Sequence, residues 1–147
     1  MAAILAITDS EGVGASARHV LRRAFAGIHT VRALAACECP AWLPRAASAA
    51  DLFVLELLWR FEAGYHAQGL ALARRQSAAG KRVLLFSCLA IAPRLDSRIY
   101  WDIAAADRLT ERVSRVLAEA PATPAELDAL AASTPGWQVL PSQHPVR

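Results

Sequence analysis

Lysine is nearly missing from this sequence of 147 residues. Of its 16 basic residues only Lys81 is a lysine, so any chemistry that needs an ammonium group must use that one or do without. Cysteine is sparse as well. Cys37, Cys39 and Cys88 are an odd number in a chain with no export leader, which favours reduced thiols over a disulfide framework. The single residue between Cys37 and Cys39 is too short for a zinc knuckle, and no second Cys/His pair lies nearby, so no metal site is expected there. Long apolar runs are missing. The opening run ends at Thr8 and Asp9 without a basic leader, so it is read as a strand and neither a signal peptide nor a membrane span. The expectation is a cytoplasmic protein without membrane contact. No Gly-x-Ser-x-Gly elbow surrounds Ser87, and no Gly-Lys-Ser/Thr follows the glycines at 12 and 14, which argues against a hydrolase and a P-loop enzyme. His19, His29, His66 and His144 have no convergent partners in sequence and are read as surface or packing residues. There is no internal repeat.

What is present describes one folded domain. Hydrophobic residues make up 55% and charged residues 20%, too apolar for disorder and too evenly mixed for a membrane protein. The formal charge is +3, and the arginines are read as spread over several helices without interleaved aromatics, so nucleic-acid binding is not expected.

Along the chain, Ala3 to Thr8 reads as a strand and Ala15 to Phe25 as a helix ended by Gly27. His29 to Ala36 is a second strand, and Asp51 to Trp59, almost continuously apolar, a central strand covered on both faces. Tyr65 to Ala79 carries helical spacing and is closed by Gly80. Lys81 to Cys88 is another buried strand, Ile99 to Trp101 a weaker fifth, and Asp107 to Ala120 a long amphipathic helix. Thr123-Pro124-Ala125-Glu126 then opens a short helix, with an irregular tail after Thr134. The expected division is an α/β domain over residues 1–120 and a short helix with tail over 121–147. Strands alternating with helices imply a doubly wound parallel sheet whose functional groups gather at the strand C-termini, near Asp9, Glu56, Ser87 and Tyr100.

The succession Asp51-Leu52-Phe53-Val54-Leu55-Glu56-Leu57-Leu58, Gly64, Gly69-Leu70-Ala71-Leu72-Ala73-Arg74, Gly80 and Val83-Leu84-Leu85-Phe86-Ser87 resembles the receiver domains of bacterial response regulators over about residues 3–120. That resemblance implies a five-stranded parallel sheet in the flavodoxin-like order 2-1-3-4-5. It also implies a site in which two acids hold magnesium, an aspartate accepts phosphate, a hydroxyl reports it and a lysine neutralises it. Here Thr8 and Asp9 fall at the acidic pair, Glu56 at the acceptor, Ser87 at the hydroxyl and Tyr100 at the signalling aromatic. Residues 101–104 offer no lysine, and Lys81 starts the fourth strand at the opposite edge. The resemblance so altered implies a degenerate, pseudo-receiver regulator that works by protein contact, with no catalytic residue, no cofactor, and magnesium held weakly at most.

Glu56 is then either a fixed negative charge where phosphate would reside or a plain strand-end acid. The face of residues 99–117 is the expected homodimer or partner surface. A second class stays open, a flavodoxin-like domain that binds a nucleotide or flavin at the Asp9–Ser16 loop and has an enzymatic role. Trp42, Trp59, Tyr65 and Trp101 lie near loops, either capping the core or anchoring a partner.

Overall fold

An apolar run with no polar face must be covered on both sides, and Leu52–Glu56 meets that condition: all five residues are buried in the computed structural model. The structure describes residues 1–8, 13–35, 48–56, 59–61, 64–66, 68–86, 99–100 and 106–133. Four strands, β1 (Ala3–Thr8), β2 (Thr30–Ala35), β3 (Leu52–Glu56) and β4 (Arg82–Phe86), pair in parallel in the order β2-β1-β3-β4. The registers run Ile4 with Val31, Ile4 with Leu52, and Leu52 with Arg82. This order, 2-1-3-4, is that of the first four strands of the flavodoxin-like class. Ile99 and Tyr100 lie in parallel register beside Leu85 and Phe86, a pairing of only two residues.

Because side chains alternate along a strand, the sheet has two apolar faces. On one, Ile4, Ala6, Ala33, Leu52, Val54, Leu84 and Phe86 pack with residues of α1 (Val13–Ala24) and α3 (Ala106–Ala118), among them Leu21, Leu109, Val113 and Val116. On the other, Leu5, Ile7, Phe53, Leu55, Val83 and Leu85 are buried, and α2 (Gln68–Ala78) packs on β3 and β4 with Leu70 and Ala73 inward. Outside α2 lies α4 (Pro124–Ser133), whose Leu127 is buried. The Ser77 hydroxyl donates to the Ala122 carbonyl, and Arg74 pairs with Asp128. Thr123 and Glu126 form a reciprocal capping box at its start, with Pro124 at the first helical position.

Helix ends follow the punctuation in the sequence. Gly80 has φ of 77°, its N–H donates to the Ser77 carbonyl and that of Lys81 to Gln76, the paired bonds of a Schellman ending that only glycine enters without strain.

Two expectations need correction. The central strand was expected to reach Trp59 and the next helix to begin at Tyr65, but β3 stops at Glu56 and α2 starts at Gln68. Between them Trp59–Phe61 pairs antiparallel with Gly64–His66 in a hairpin, Phe61 facing Gly64. Aromatic residues favour strands, and of the apolar positions that suggested a helix, Ala67, Leu70, Ala71 and Ala73, the last three fall within one that begins later, while Ala67 lies outside the described residues. His66 therefore sits on a hairpin arm and not on a helix.

Among the described residues no helix is long and apolar enough to cross a membrane.

Candidate functional site

Parallel sheets concentrate chemistry where strands end, because loops and helix N-termini converge there. The last row of this sheet is fixed by register: Ala35 opposite Thr8 and Glu56 opposite Phe86, with Phe86 opposite Tyr100. Ile7 pairs with Leu55, so Thr8 and Glu56 are the next positions on neighbouring strands. Both belong to the sheet face covered by α1 and α3, since Thr8 follows Ile4 and Ala6, and Glu56 follows Leu52 and Val54, in steps of two.

Thr8 is fully buried, and its hydroxyl joins two elements. It donates to the Gly14 carbonyl in the first turn of α1 at 3.2 Å and accepts from Arg18 Nη1 at 2.6 Å. The helix thus delivers a guanidinium to the strand end one and a half turns after it begins. Glu56 is only 5% exposed. A carboxylate taken so far from water must be satisfied by hydrogen bonds or opposite charge, because an uncompensated buried charge is too costly to keep.

The sole lysine is elsewhere. Lys81 precedes β4, and its ammonium group donates to the Ser48 carbonyl at 3.1 Å. Five residues of strand separate it from Phe86, roughly 16 Å at about 3.3 Å per residue, so it cannot serve the row that holds Glu56.

Of the four residues singled out from sequence, Glu56 and the backbone of Tyr100 stand in the same row, whereas Asp9 and Ser87 lie outside the described residues. So do Cys37, Cys39, Cys88, Trp42 and Trp101. Of the Asp9–Ser16 loop, residues 13–16 prove to be the first turn of α1, and Gly14 already offers its carbonyl to Thr8. Among the described residues no group of three or more His, Cys, Asp or Glu could hold a metal ion. Arg18 is the residue that sequence reading passed over. Its position on a helix suggested solvent, and its only clue is the threonine that ends the strand before it.

Thr8→Val keeps the shape and removes the hydroxyl. It should cost about 1–3 kcal/mol, the usual penalty for stranding buried hydrogen-bond partners, and appear in urea unfolding as a lower midpoint at unchanged slope. An unchanged midpoint would show that the bridge to α1 contributes nothing.

No family model matches the sequence, and no curated protein matches it. Among solved structures, a mutant of a flavo di-iron protein from Thermotoga maritima is similar over 78% of this chain and 36% of its own, at 14% identity and a TM-score of 0.48. The chain thus spans about a third of the length of that protein.

Proposed function

We propose that the chain is an atypical receiver-like regulator that acts by protein contact in signal transduction and not by regular aspartyl phosphorylation. The observation that carries this reading is the buried acid at the end of the central strand: Glu56 occupies the row where a receiver would present its phosphoacceptor, beside Thr8 in place of a metal-binding acid. The short pairing of Ile99 and Tyr100 with β4 supports extending the sheet to a fifth strand and the order to 2-1-3-4-5. Asp9 and Ser87, each one residue beyond a member of that row, complete the proposed degenerate site with Glu56 and Tyr100. In this reading the Glu56 charge is permanent and holds the strand ends in one arrangement.

The test is Glu56→Gln, which keeps the shape and removes the charge. Backbone amide resonances of Ser87, Tyr100 and the first turn of α3 should shift relative to the unaltered protein. Changes confined to the sequence neighbours of Glu56 would reduce it to an ordinary strand-end acid. The flavodoxin-like alternative predicts a different result, a thermal shift with flavin mononucleotide or other nucleotides at saturating concentration.

The face of residues 99–117 remains a proposal as the partner or homodimer surface. Of its described large apolar residues on α3, Leu109, Val113 and Val116 are buried against the sheet and Leu117 is half-buried against the same core, while Glu111, Ser114 and Arg115 face solvent, so contact there would be mainly polar.

A further inference from the structure

A strand at the outside of a sheet carries a row of N–H and C=O groups along its outer edge, and that row is a template for another strand. β2 is the outer strand of the described sheet, with β1 as its partner there. Its two edges can be told apart. The Thr30 N–H donates to the Ala2 carbonyl at 2.9 Å, and in a strand the N–H and C=O of one residue leave on the same side while those of the next leave on the other. Thr30, Arg32 and Leu34 therefore present their backbone groups to β1, and Val31, Ala33 and Ala35 turn theirs outward.

The middle of that outer row is covered. Arg22, in the last turn of α1, donates from Nη2 to the Ala33 carbonyl. Ala33 is buried although it stands on an outer strand. The helix dipole favours cations at this helix end, but it favours Arg23 as much as Arg22 and gives no reason for the reach to a strand carbonyl.

We propose that Arg22 is an edge guard, occupying the place at which β2 would otherwise pair with β2 of a second copy of this chain. The partner is a second copy because the outer row is complementary to itself. Turned about a two-fold axis beside Ala33, two β2 strands run antiparallel and the two Ala33 residues exchange both of their backbone hydrogen bonds. Arg32 then comes opposite Leu34 of the other copy, so no like charges meet directly across the pair. The carbonyl that this exchange needs is the one Arg22 holds. A guanidinium suits the task, because it is always charged and the same group of the other copy, brought to the same axis, repels it. Pairing of this kind uses one edge of each copy and closes at the dimer. The inference rests on the β1–β2 edge alone and holds whether or not Glu56 has a signalling role.

The test is Arg22→Gln beside Arg23→Gln, which removes the same charge from the same turn of α1. In sedimentation over a concentration series, Arg22→Gln should dimerise with a Kd at least about tenfold below that of the unaltered chain, and Arg23→Gln should stay within about twofold of it. Arg22→Met, which keeps most of the side chain's length, repeats the test if the glutamine variant folds poorly. Amide hydrogen exchange locates the contact: the Ala33 N–H should exchange at least about tenfold more slowly in the dimer than in the unaltered chain. Dimerisation of the Arg22 variants no tighter than that of the unaltered chain would overturn the proposal, as would an equal gain in Arg23→Gln. An Ala33 amide that exchanges no more slowly in the dimer, or growth beyond the dimer, would overturn it too.

Discussion

Phe53→Ala should lower the stability of this protein by about 3–5 kcal/mol, the range for removing a fully buried aromatic ring whose cavity closes only in part. Among the described residues Phe53 is the largest of the fully buried side chains. It lies on the central strand in register with Leu5 on one side and Val83 on the other, on the face that α2 covers. Truncation there removes contacts to two strands and a helix at once. Domains of this size are held together by only about 5–15 kcal/mol, so the variant should unfold at much lower urea and accumulate poorly in cells. Arg75→Ala, at an exposed position of α2, should change stability by no more than about 0.5 kcal/mol. A loss below about 1 kcal/mol at Phe53 would mean that β3 is not the centre of the sheet.

The same residues show what could be read in advance. The β3 and β4 runs were legible because a strand covered on both faces leaves a continuous apolar signature that few other structures produce. The presence and buried faces of α1 and α3 followed from apolar spacing, though their limits fell one or two residues away, and the end of α2 followed from a glycine that had to take positive φ. The hairpin at Trp59–His66 was not legible. Its arms are three residues each, too short for alternation to register, and they follow the apolar run so closely that their aromatics read as its continuation. Packing of α4 against α2 rests on Leu127, Ala122 and a hydrogen bond from Ser77, contacts between segments more than forty residues apart that no local pattern announces.

The site was legible in its frame and not in its wiring. Ends of apolar runs located Glu56 and Thr8, and strand register then placed them side by side. The Thr8–Gly14 bond depends on where α1 begins, and the sequence suggested Ala15 whereas the helix starts at Val13. Two residues shift a helix face by about 200°, because each residue turns it by about 100°, but the apolar positions of α1 fix its buried face whatever the boundary. What the boundary decides is which backbone carbonyl meets the strand end. Gly14 supplies it, and with it the bridge from the Thr8 hydroxyl to the helix.

Acetyl phosphate supplied with magnesium should leave the protein without a phosphoryl adduct by intact mass, under conditions in which an ordinary receiver is fully modified. Phosphoryl transfer depends almost entirely on placement and on neutralising charge. Glu56 carries one more methylene than the aspartate it would replace, and a displacement of about 1 Å at a reacting atom can cost on the order of a hundredfold in rate. In the proposed reading Thr8 supplies a hydroxyl where a receiver would carry a metal-binding acid, and that hydroxyl is already engaged by Gly14 and Arg18. The one lysine donates to Ser48 at the far end of β4. Shortening the acceptor alone, as Glu56→Asp, should therefore not restore modification, since the nucleophile would be corrected while the charge around the transferring group would not. Stoichiometric phosphorylation of Glu56 in the unaltered chain would overturn this, and would point to a cation near the strand ends that does the work of the missing ammonium group.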